Sequence, residues 1–378
     1  MNMVRLLMML EGLSIALIVM HFITPSIYYV IARGWLRLSS KTGSRDGLTT
    51  EPPFVSIIIP TYNEAKVITQ KLSNIYLQDY PRDRFEVIIV DSGSTDGTMD
   101  LIREWVKGHG DINVRVIEEG VRMGKAHALN TALRNAKGDI IVITDADSTW
   151  LRDSLRNAVT WLVNDCVGAV SCNKVPRTNK DVETEYRNYY GLLRIAESRK
   201  FSSAIFHGEL AAFKRDLLEK IGGFPTDLGA DDSHTAGLIS MMGYRAIIPE
   251  DVKCIEYVPS KGYWTWRIRR AQHLIQHFLR FLRYVLIDGR DLPRDYRQIM
   301  LYESYLHLVN PWLFVVGLVL IIISAIHGAL IPIALLLIGA ALLVIKIFRT
   351  WVMTQVILVA AAIRNLWNKE LVWRKIEK

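Results

Sequence analysis

Ile140-Ile141-Val142-Ile143-Thr144-Asp145-Ala146-Asp147 decides the reading of this chain, because a run of β-branched residues stops there at two carboxylates. Such a run reads as an interior strand, and Asp145 and Asp147 would sit at its carboxyl end, where open α/β sheets bind ligands. Alternation turns both side chains to one face. Hard carboxylate oxygens suit Mg2+ or Mn2+, and these ions usually divide their coordination between one or two carboxylates and substrate phosphates. A nucleotide diphosphate is the partner this implies. An Asp-rich turn at a strand end fits the same residues, since Asp is a common turn and cap residue, so the flanking sequence must decide.

Outward from that run, strand-like and helix-like segments alternate. Val55-Ser56-Ile57-Ile58-Ile59 ends at Pro60 and is followed by Thr61-Tyr62-Asn63-Glu64; a helical pattern then runs through Val67, Ile68, Leu72 and Ile75 to the Tyr80-Pro81 break. Phe85 to Val90 reads as the next strand, closing on Asp91 and the turn Ser92-Gly93-Ser94-Thr95-Asp96-Gly97, and Val114 to Ile117 as another. The alternation predicts an α/β domain with a mostly parallel sheet between helices. Neither early strand is followed by a Gly-x-Gly-x-x-Gly turn, which argues against a dinucleotide-binding unit. Gly124-Lys125 is followed by Ala126, so the phosphate-binding Gly-Lys-Ser/Thr loop is excluded as well.

The 378 residues are not all available to a soluble domain. Gly12 to Ala32 is apolar apart from His21 and a few hydroxyl residues, long enough to span a bilayer of about 30 Å. A cleaved leader would have a shorter apolar region, a more basic start and a small-residue cleavage site, so a retained anchor is expected. Leu306 to Ile326 and Ala329 to Ile345, separated by His327 and Gly328, read as a transmembrane hairpin. Arg33, Arg37, Lys41 and Arg45 after the first span, and Lys346, Arg349 and Arg364 after the third, place the middle of the chain and the tail on the cytoplasmic side. Trp351 to Ile363 fits either an extension of the third helix or an interfacial segment. The net charge of +8 suits nucleic acid, anionic lipid or a phosphorylated substrate; the spans favour the last two, and no nucleic-acid partner is expected. Cys166, Cys172 and Cys254 show no metal-type spacing and are expected to be reduced core residues.

Four segments in order, Pro60-Thr61-Tyr62-Asn63-Glu64, Val90-Asp91-Ser92-Gly93-Ser94-Thr95-Asp96-Gly97-Thr98, Gly124-Lys125-Ala126-His127-Ala128-Leu129-Asn130 and Asp145-Ala146-Asp147, resemble glycosyltransferase family 2. The resemblance continues through Gly208 to Arg215 and Ile221-Gly222-Gly223-Phe224 into Ala230-Asp231-Asp232. It implies a GT-A nucleotide-diphospho-sugar transferase domain and an inverting, metal-dependent sugar transfer using Mn2+ or Mg2+. Carried onto these positions, Asp91 would hydrogen-bond the nucleotide base, with Thr61, Tyr62 and Glu64 forming the wall around base and ribose. Lys125 would lie near the donor phosphates. Asp147 would ligate the cation directly, and Asp145 would face the ribose or reach the metal through water. Asp231-Asp232 stands where the family has an acidic pair whose second member is the catalytic base. A sugar hydroxyl is a poor nucleophile at neutral pH, so Asp232 would take its proton as attack develops. His234 could serve as a second base or ligand, but reads first as a helix-surface histidine.

The sequence departs from the processive polysaccharide synthases of that family. Their QxxRW motif aligns with Trp266-Arg267-Ile268-Arg269-Arg270, in which only Arg269 survives. Arginines at this place favour phosphate through charge-assisted hydrogen bonds, which makes Arg269 and Arg270 candidate phosphate-binding residues. Tyr263 to Ile287 has the profile of a basic amphipathic helix on a membrane surface. Together these point to a hexosyltransferase acting on a polyprenyl or dolichyl phosphate-linked acceptor, with GDP-mannose as the first donor suggested by related lipid-directed enzymes. A processive synthase and a catalytically silent membrane scaffold are the competing readings. The expected organisation is an N-terminal transmembrane helix over 1–38, a linker over 39–52, the transferase domain over 53–260, interfacial amphipathic helices over 261–303, a transmembrane hairpin over 304–348 and a basic interfacial segment over 349–378. An integral protein of the cell membrane with its catalytic domain in the cytoplasm follows from that layout.

Overall fold

The computed structural model describes residues 3–38, 51–177, 181–259 and 261–369. Residues 39–50 of the expected linker, with Lys41 and Arg45, lie outside the described residues, as do residues 370–378 of the tail. After α1 (Met3–Trp35) the chain alternates β1 (Val55–Thr61), α2 (Ile68–Tyr76), β2 (Phe85–Asp91), α3 (Thr98–Lys107), β3 (Asn113–Glu118), α4 (Lys125–Asn135) and β4 (Ile140–Ile143). Then come β5 (Thr149–Trp150), α5 (Ser154–Leu162), β6 (Val167–Ser171), β7 (Asn173–Arg177), α6 (Asp181–Lys200), β8 (Ala211–Lys214), α7 (Arg215–Lys220), α8 (Asp231–Met241), β9 (Arg245–Ile247) and β10 (Lys253–Tyr257). Five helices finish the chain: α9 (Tyr263–Leu286), α10 (Arg294–Leu308), α11 (Asn310–Ile326), α12 (Leu330–Leu342) and α13 (Lys346–Arg364).

A seven-stranded sheet runs in the order β3-β2-β1-β4-β8-β6-β9, and a smaller one runs β5-β10-β7. The strands from β3 to β4 are parallel, and β8 enters antiparallel between β4 and β6. Both faces of the large sheet are covered, which is why Ile57–Ile59, Val87–Val90 and Ile140–Ile143 are apolar at consecutive rather than alternate positions. Ile57, Ile59, Val87, Ile89 and Val142 face one hydrophobic core with Leu72, Ile102 and Leu155; Ile58, Ile88, Val90, Ile141 and Ile143 face the other with Leu129 and Leu217. Register then places the functional ends. Thr61 is opposite Asp91, and Ile143 is opposite both Ile58 and Ala211, so the segments after β4 and before β8 meet; the Asp145 amide donates to the Gly208 carbonyl at 3.2 Å.

Two expectations about the fold need correction. Ala329 to Ile345 does not form one span: α12 covers 13 residues, and the backbone closes in tight turns from Leu343 to Ile345 before α13 begins. At 1.5 Å per residue α12 is about 20 Å long, short of a bilayer core. Among the described residues, the helices long and apolar enough to cross a membrane are Arg5–Trp35, Arg294–Ile326 and Lys346–Arg364. α13 carries Thr350, Thr354 and Gln355 on a buried face, which lowers its hydropathy and hid it behind its more apolar neighbour. The second correction concerns the cysteines: Cys172 and Cys254 form a disulfide, and Cys166 is exposed. The pairing of β7 with β10 brings together residues far apart in sequence, with Cys254 opposite Lys174.

The apolar helices are tied to each other and to the domain by polar contacts. His21 of α1 accepts the Trp351 indole N–H of α13 at Nε2, 2.8 Å, so Nδ1 bears the hydrogen and donates to the Asn310 carbonyl of α11 at 3.0 Å. A Cβ on Gly317 would lie 3.1 Å from Ile18, so glycine lets α11 approach α1 closely. Arg194 of α6 pairs with Glu197 at 2.8 Å and with Glu303 of α10 at 2.9 Å, and the Tyr28 hydroxyl of α1 donates to Glu197 at 2.7 Å. These groups are buried and pair with one another, and they fix the strand-containing domain against α1 and α10.

Candidate active site

A cavity of about 280 Å³ opens at the carboxyl ends of β1, β2 and β4 and continues to the face of α13. Thr61, Tyr62, Glu64, Lys125, Asp145, Asp147, Asp231, Asp232, Arg269 and Arg270 all line it, and Asp91 lies beside it next to Thr61. Asp91 is buried and accepts from the Thr61 hydroxyl at 3.0 Å, the Ser94 amide at 2.8 Å and the Ser94 hydroxyl at 2.5 Å. It therefore closes an Asx-type turn and is held rigid by it. Arg122, which the sequence reading passed over, stacks its guanidinium 3.9 Å over the Tyr62 ring on the same wall.

The carboxylates converge on Lys125, the first residue of α4. Its Nζ donates to Asp145 at 2.7 Å and lies 3.7 Å from Asp231. Burial opposes the ammonium charge, yet Asp145, Asp231 and Asp232 outweigh it and raise the Lys125 pKa. Gly208 sits in the middle of this group: a Cβ there would lie 2.8 Å from the Lys125 Nζ, 3.3 Å from an Asp232 oxygen and 3.8 Å from Asp145. The absence of a side chain keeps that space open, the kind of close approach glycine serves.

Asp231 and Asp232 open α8. One Asp232 oxygen accepts the Ser233 amide at 2.7 Å within the first turn of the helix, and the other faces Gly208. Burial and then the neighbouring Asp231 charge push the Asp232 pKa up to about 6, and burial likewise raises Asp231. A carboxyl in that range, directed into a cavity, is matched to proton abstraction near neutral pH. His234 corrects its sequence reading: it is buried, with Nε2 3.3 Å from the Tyr284 hydroxyl, because α9 covers this face of α8.

Asp145 and Asp147 are half-buried on the cavity wall, and their hard oxygens could hold a divalent cation. Among the described residues no cluster of three or more His, Cys, Asp or Glu forms a complete cage, so an ion here would take its remaining ligands from phosphate and water.

The opposite wall is built from charges that pair among themselves. Arg270 is paired with Glu256 and lies 3.6 Å from Glu209; Lys174 donates to Glu209 at 2.6 Å; Arg267 and Arg187 hold Glu183 at 2.7 and 2.8 Å. Burial opposes ionisation of Glu209, but Lys174 and Arg270 outweigh it and hold its carboxyl well below the usual range. Arg270 thus reaches the cavity already engaged with carboxylates, which it shares with Lys174 and Arg187. Glu183, Arg187, Lys174, Glu209 and Glu256 had no motif to announce them.

Residues 140–362 match the description "Glycosyl transferase family group 2" and residues 56–222 match "Glycosyl transferase family 2". The solved structure of the mannosyltransferase PcManGT from Pyrobaculum calidifontis, in complex with GDP-Man and Mn2+, superposes with a TM-score of 0.87 and 52% identity, covering 96% of this chain and 100% of that one. The probable glycosyltransferase YdaM of Bacillus subtilis is 29% identical over 242 residues, 61% of this chain and 58% of YdaM. A dolichyl N-acetyl-alpha-D-glucosaminyl phosphate 3-beta-D-2,3-diacetamido-2,3-dideoxy-beta-D-glucuronosyltransferase of Methanococcus voltae is 41% identical over 106 residues, 28% of this chain and 33% of that protein. The chain thus spans only part of these two curated relatives. With the strand-end carboxylates, the mixed sheet of GT-A type and these matches together, the chain belongs to glycosyltransferase family 2 and carries helices long and apolar enough to cross a membrane.

Proposed function

We propose that the protein transfers mannose from GDP-mannose, with Mn2+ or Mg2+, to a polyprenyl or dolichyl phosphate-linked acceptor at the membrane. The observation that carries this is the convergence of Lys125, Asp145 and Asp232 on Gly208 inside a cavity that continues to Ile357 and Leu358 of α13. The likeness to PcManGT supports the donor and the metal, and the Methanococcus voltae relative supports a lipid-linked acceptor.

In this reading Asp91 and Thr61 receive the base, with Tyr62, Arg122 and Glu64 walling it in. Asp147 and Asp145 would hold the cation, which when bound offsets the charge developing on the departing diphosphate. Lys125 adds fixed positive charge beside the same phosphates. The acceptor hydroxyl attacks the anomeric carbon from the side of Asp232, which takes its proton; the bond from that carbon to the phosphate oxygen breaks, and the nucleotide diphosphate leaves. Asp231 holds Lys125 in place and, as a like charge, keeps Asp232 basic. Arg269 sits where it can meet an anionic acceptor headgroup. The proposed layout is an anchor at 1–38, a transferase domain at 53–260 and membrane-facing helices beyond it, with the domain in the cytoplasm of the cell.

The test is transfer of radiolabelled sugar from GDP-mannose, UDP-glucose and UDP-N-acetylglucosamine into a dolichyl-phosphate lipid extract, with Mn2+ or chelator, for wild type and Asp147→Ala. Label should enter the organic phase from GDP-mannose only with metal and intact Asp147. Polymer as the product would instead establish a processive synthase, and no transfer to any product a silent scaffold.

A further inference from the structure

Lys71 is a cation where the pattern of α2 calls for a hydrophobe. It shares the buried stripe of Ile68, Leu72 and Ile75 and is 1% exposed. Burying an ammonium costs several kcal/mol unless its hydrogen bonds are met. Here they are met by the segment that follows the two strand-end carboxylates: Nζ donates to the Ser148 carbonyl at 3.1 Å and to the Ser148 hydroxyl at 3.0 Å, and lies 4.4 Å from the centre of the Trp150 ring.

Ser148 and Trp150 are in turn fastened to the segment beside Gly208. The Ser148 hydroxyl at 3.0 Å, the Trp150 indole N–H at 2.7 Å and the Thr144 hydroxyl at 2.8 Å all converge on the Glu209 carbonyl. The turn bearing Asp145 and Asp147 is thus gripped from below by Lys71 and from the side by Glu209. Burial lowers the Lys71 pKa to about 7, and the charges that work against this are Asp145, Asp147 and Glu209, so the ammonium is electrostatically linked to the carboxylates it does not touch.

We infer that Lys71 is a positioning residue for the nucleoside diphosphate and its cation, acting through Ser148 to set the geometry of the Asp145–Asp147 turn. This rests on the reading of that turn as the donor site. Lys71 itself is buried and does not line the cavity; Ser148 stands between it and the two carboxylates. Its loss should therefore weaken donor binding and leave the acceptor side alone.

The experiment is calorimetric titration of the full-length protein in detergent with GDP in the presence of Mn2+, for wild type, Lys71→Met, Lys71→Arg and Ser148→Ala, alongside KM for donor and acceptor. Lys71→Met should weaken GDP binding in Mn2+ and raise donor KM about tenfold with acceptor KM unchanged, and Ser148→Ala should do the same to a smaller degree. Lys71→Arg should recover part of the loss by keeping the charge. Binding within twofold of wild type in both Lys71→Met and Ser148→Ala overturns the inference, as does an equal rise in both KM values. If Lys71→Met does not fold, Ser148→Ala decides alone. Absence of Mn2+-dependent nucleotide binding by the wild type overturns the donor-site reading, and this inference with it.

Discussion

The two walls of the cavity use the same kinds of side chain to opposite effect. On the strand-end wall, Asp145, Asp147, Asp231 and Asp232 gather around Lys125, with Lys71 behind, and the carboxyls of Asp231 and Asp232 are pushed upward. On the other wall, drawn from α6, α9, β7, β10 and the segment before β8, Glu183, Glu209 and Glu256 are interleaved with Lys174, Arg187, Arg267 and Arg270, and their carboxyls are pushed downward. Burial raises a carboxyl in both places, so the difference comes from the cations alongside. The first wall holds an excess of negative charge that an arriving cation can relieve. The second sets four cations against three carboxylates, so it carries no excess of negative charge and serves as a fixed surface. A site and a scaffold are distinguished here by charge balance rather than by residue type.

The comparison breaks most visibly at Asp232. Asp232→Asn should lower transfer by about 10²–10⁴-fold while Mn2+-dependent nucleotide binding persists, measured by turnover and calorimetry. Near-normal turnover would reduce the raised carboxyls to a strained pair without a chemical role. Because the base works ionised, kcat/KM in the wild type should fall as pH drops below about 6 and level off above it. On the other wall, Glu183→Gln should leave Arg267 buried without its carboxylate, and Arg187 with Glu256 alone, and cost about 3–5 kcal/mol, read as a lower Tm in detergent. An unchanged Tm would mean that pairing does not hold that wall together. The smallest effects separate two arginines of α9. Arg269→Ala, on the cavity, should raise acceptor KM about tenfold, the size of one charge-assisted hydrogen bond; Arg283→Ala, 66% exposed, should change stability by less than about 0.5 kcal/mol and turnover hardly at all. Equal losses would assign α9 a general membrane-surface role.

How much of this was legible in the sequence follows from the range over which each signal acts. Ile140–Ile143 and Phe85–Asp91 were readable as buried strands because local apolar runs end at turn residues. The gathering of Thr61, Lys125, Asp145 and Asp232 was readable through motif order. Lys71 was passed over because an amphipathic helix pattern treats a lysine as solvent-facing, although its spacing from Ile68 and Leu72 placed it on the buried stripe. The disulfide depends on β7 lying beside β10, a long-range pairing that no local pattern carries. The break between α12 and α13 was invisible because hydropathy averages across it, and only the buried Thr354 and Gln355 mark α13 as a helix packed on protein.

Cys172 and Cys254 stand 82 positions apart, and the segment between them contains Gly208, Glu209, Asp231 and Asp232. That segment is therefore a covalent macrocycle within the polypeptide. In a chain-entropy description, closing a ring of this size withdraws about 4–5 kcal/mol of freedom from the unfolded ensemble. It also means that one peptide-bond cleavage inside the ring releases no fragment: the piece bearing Asp231 and Asp232 stays tethered to the strands that flank it.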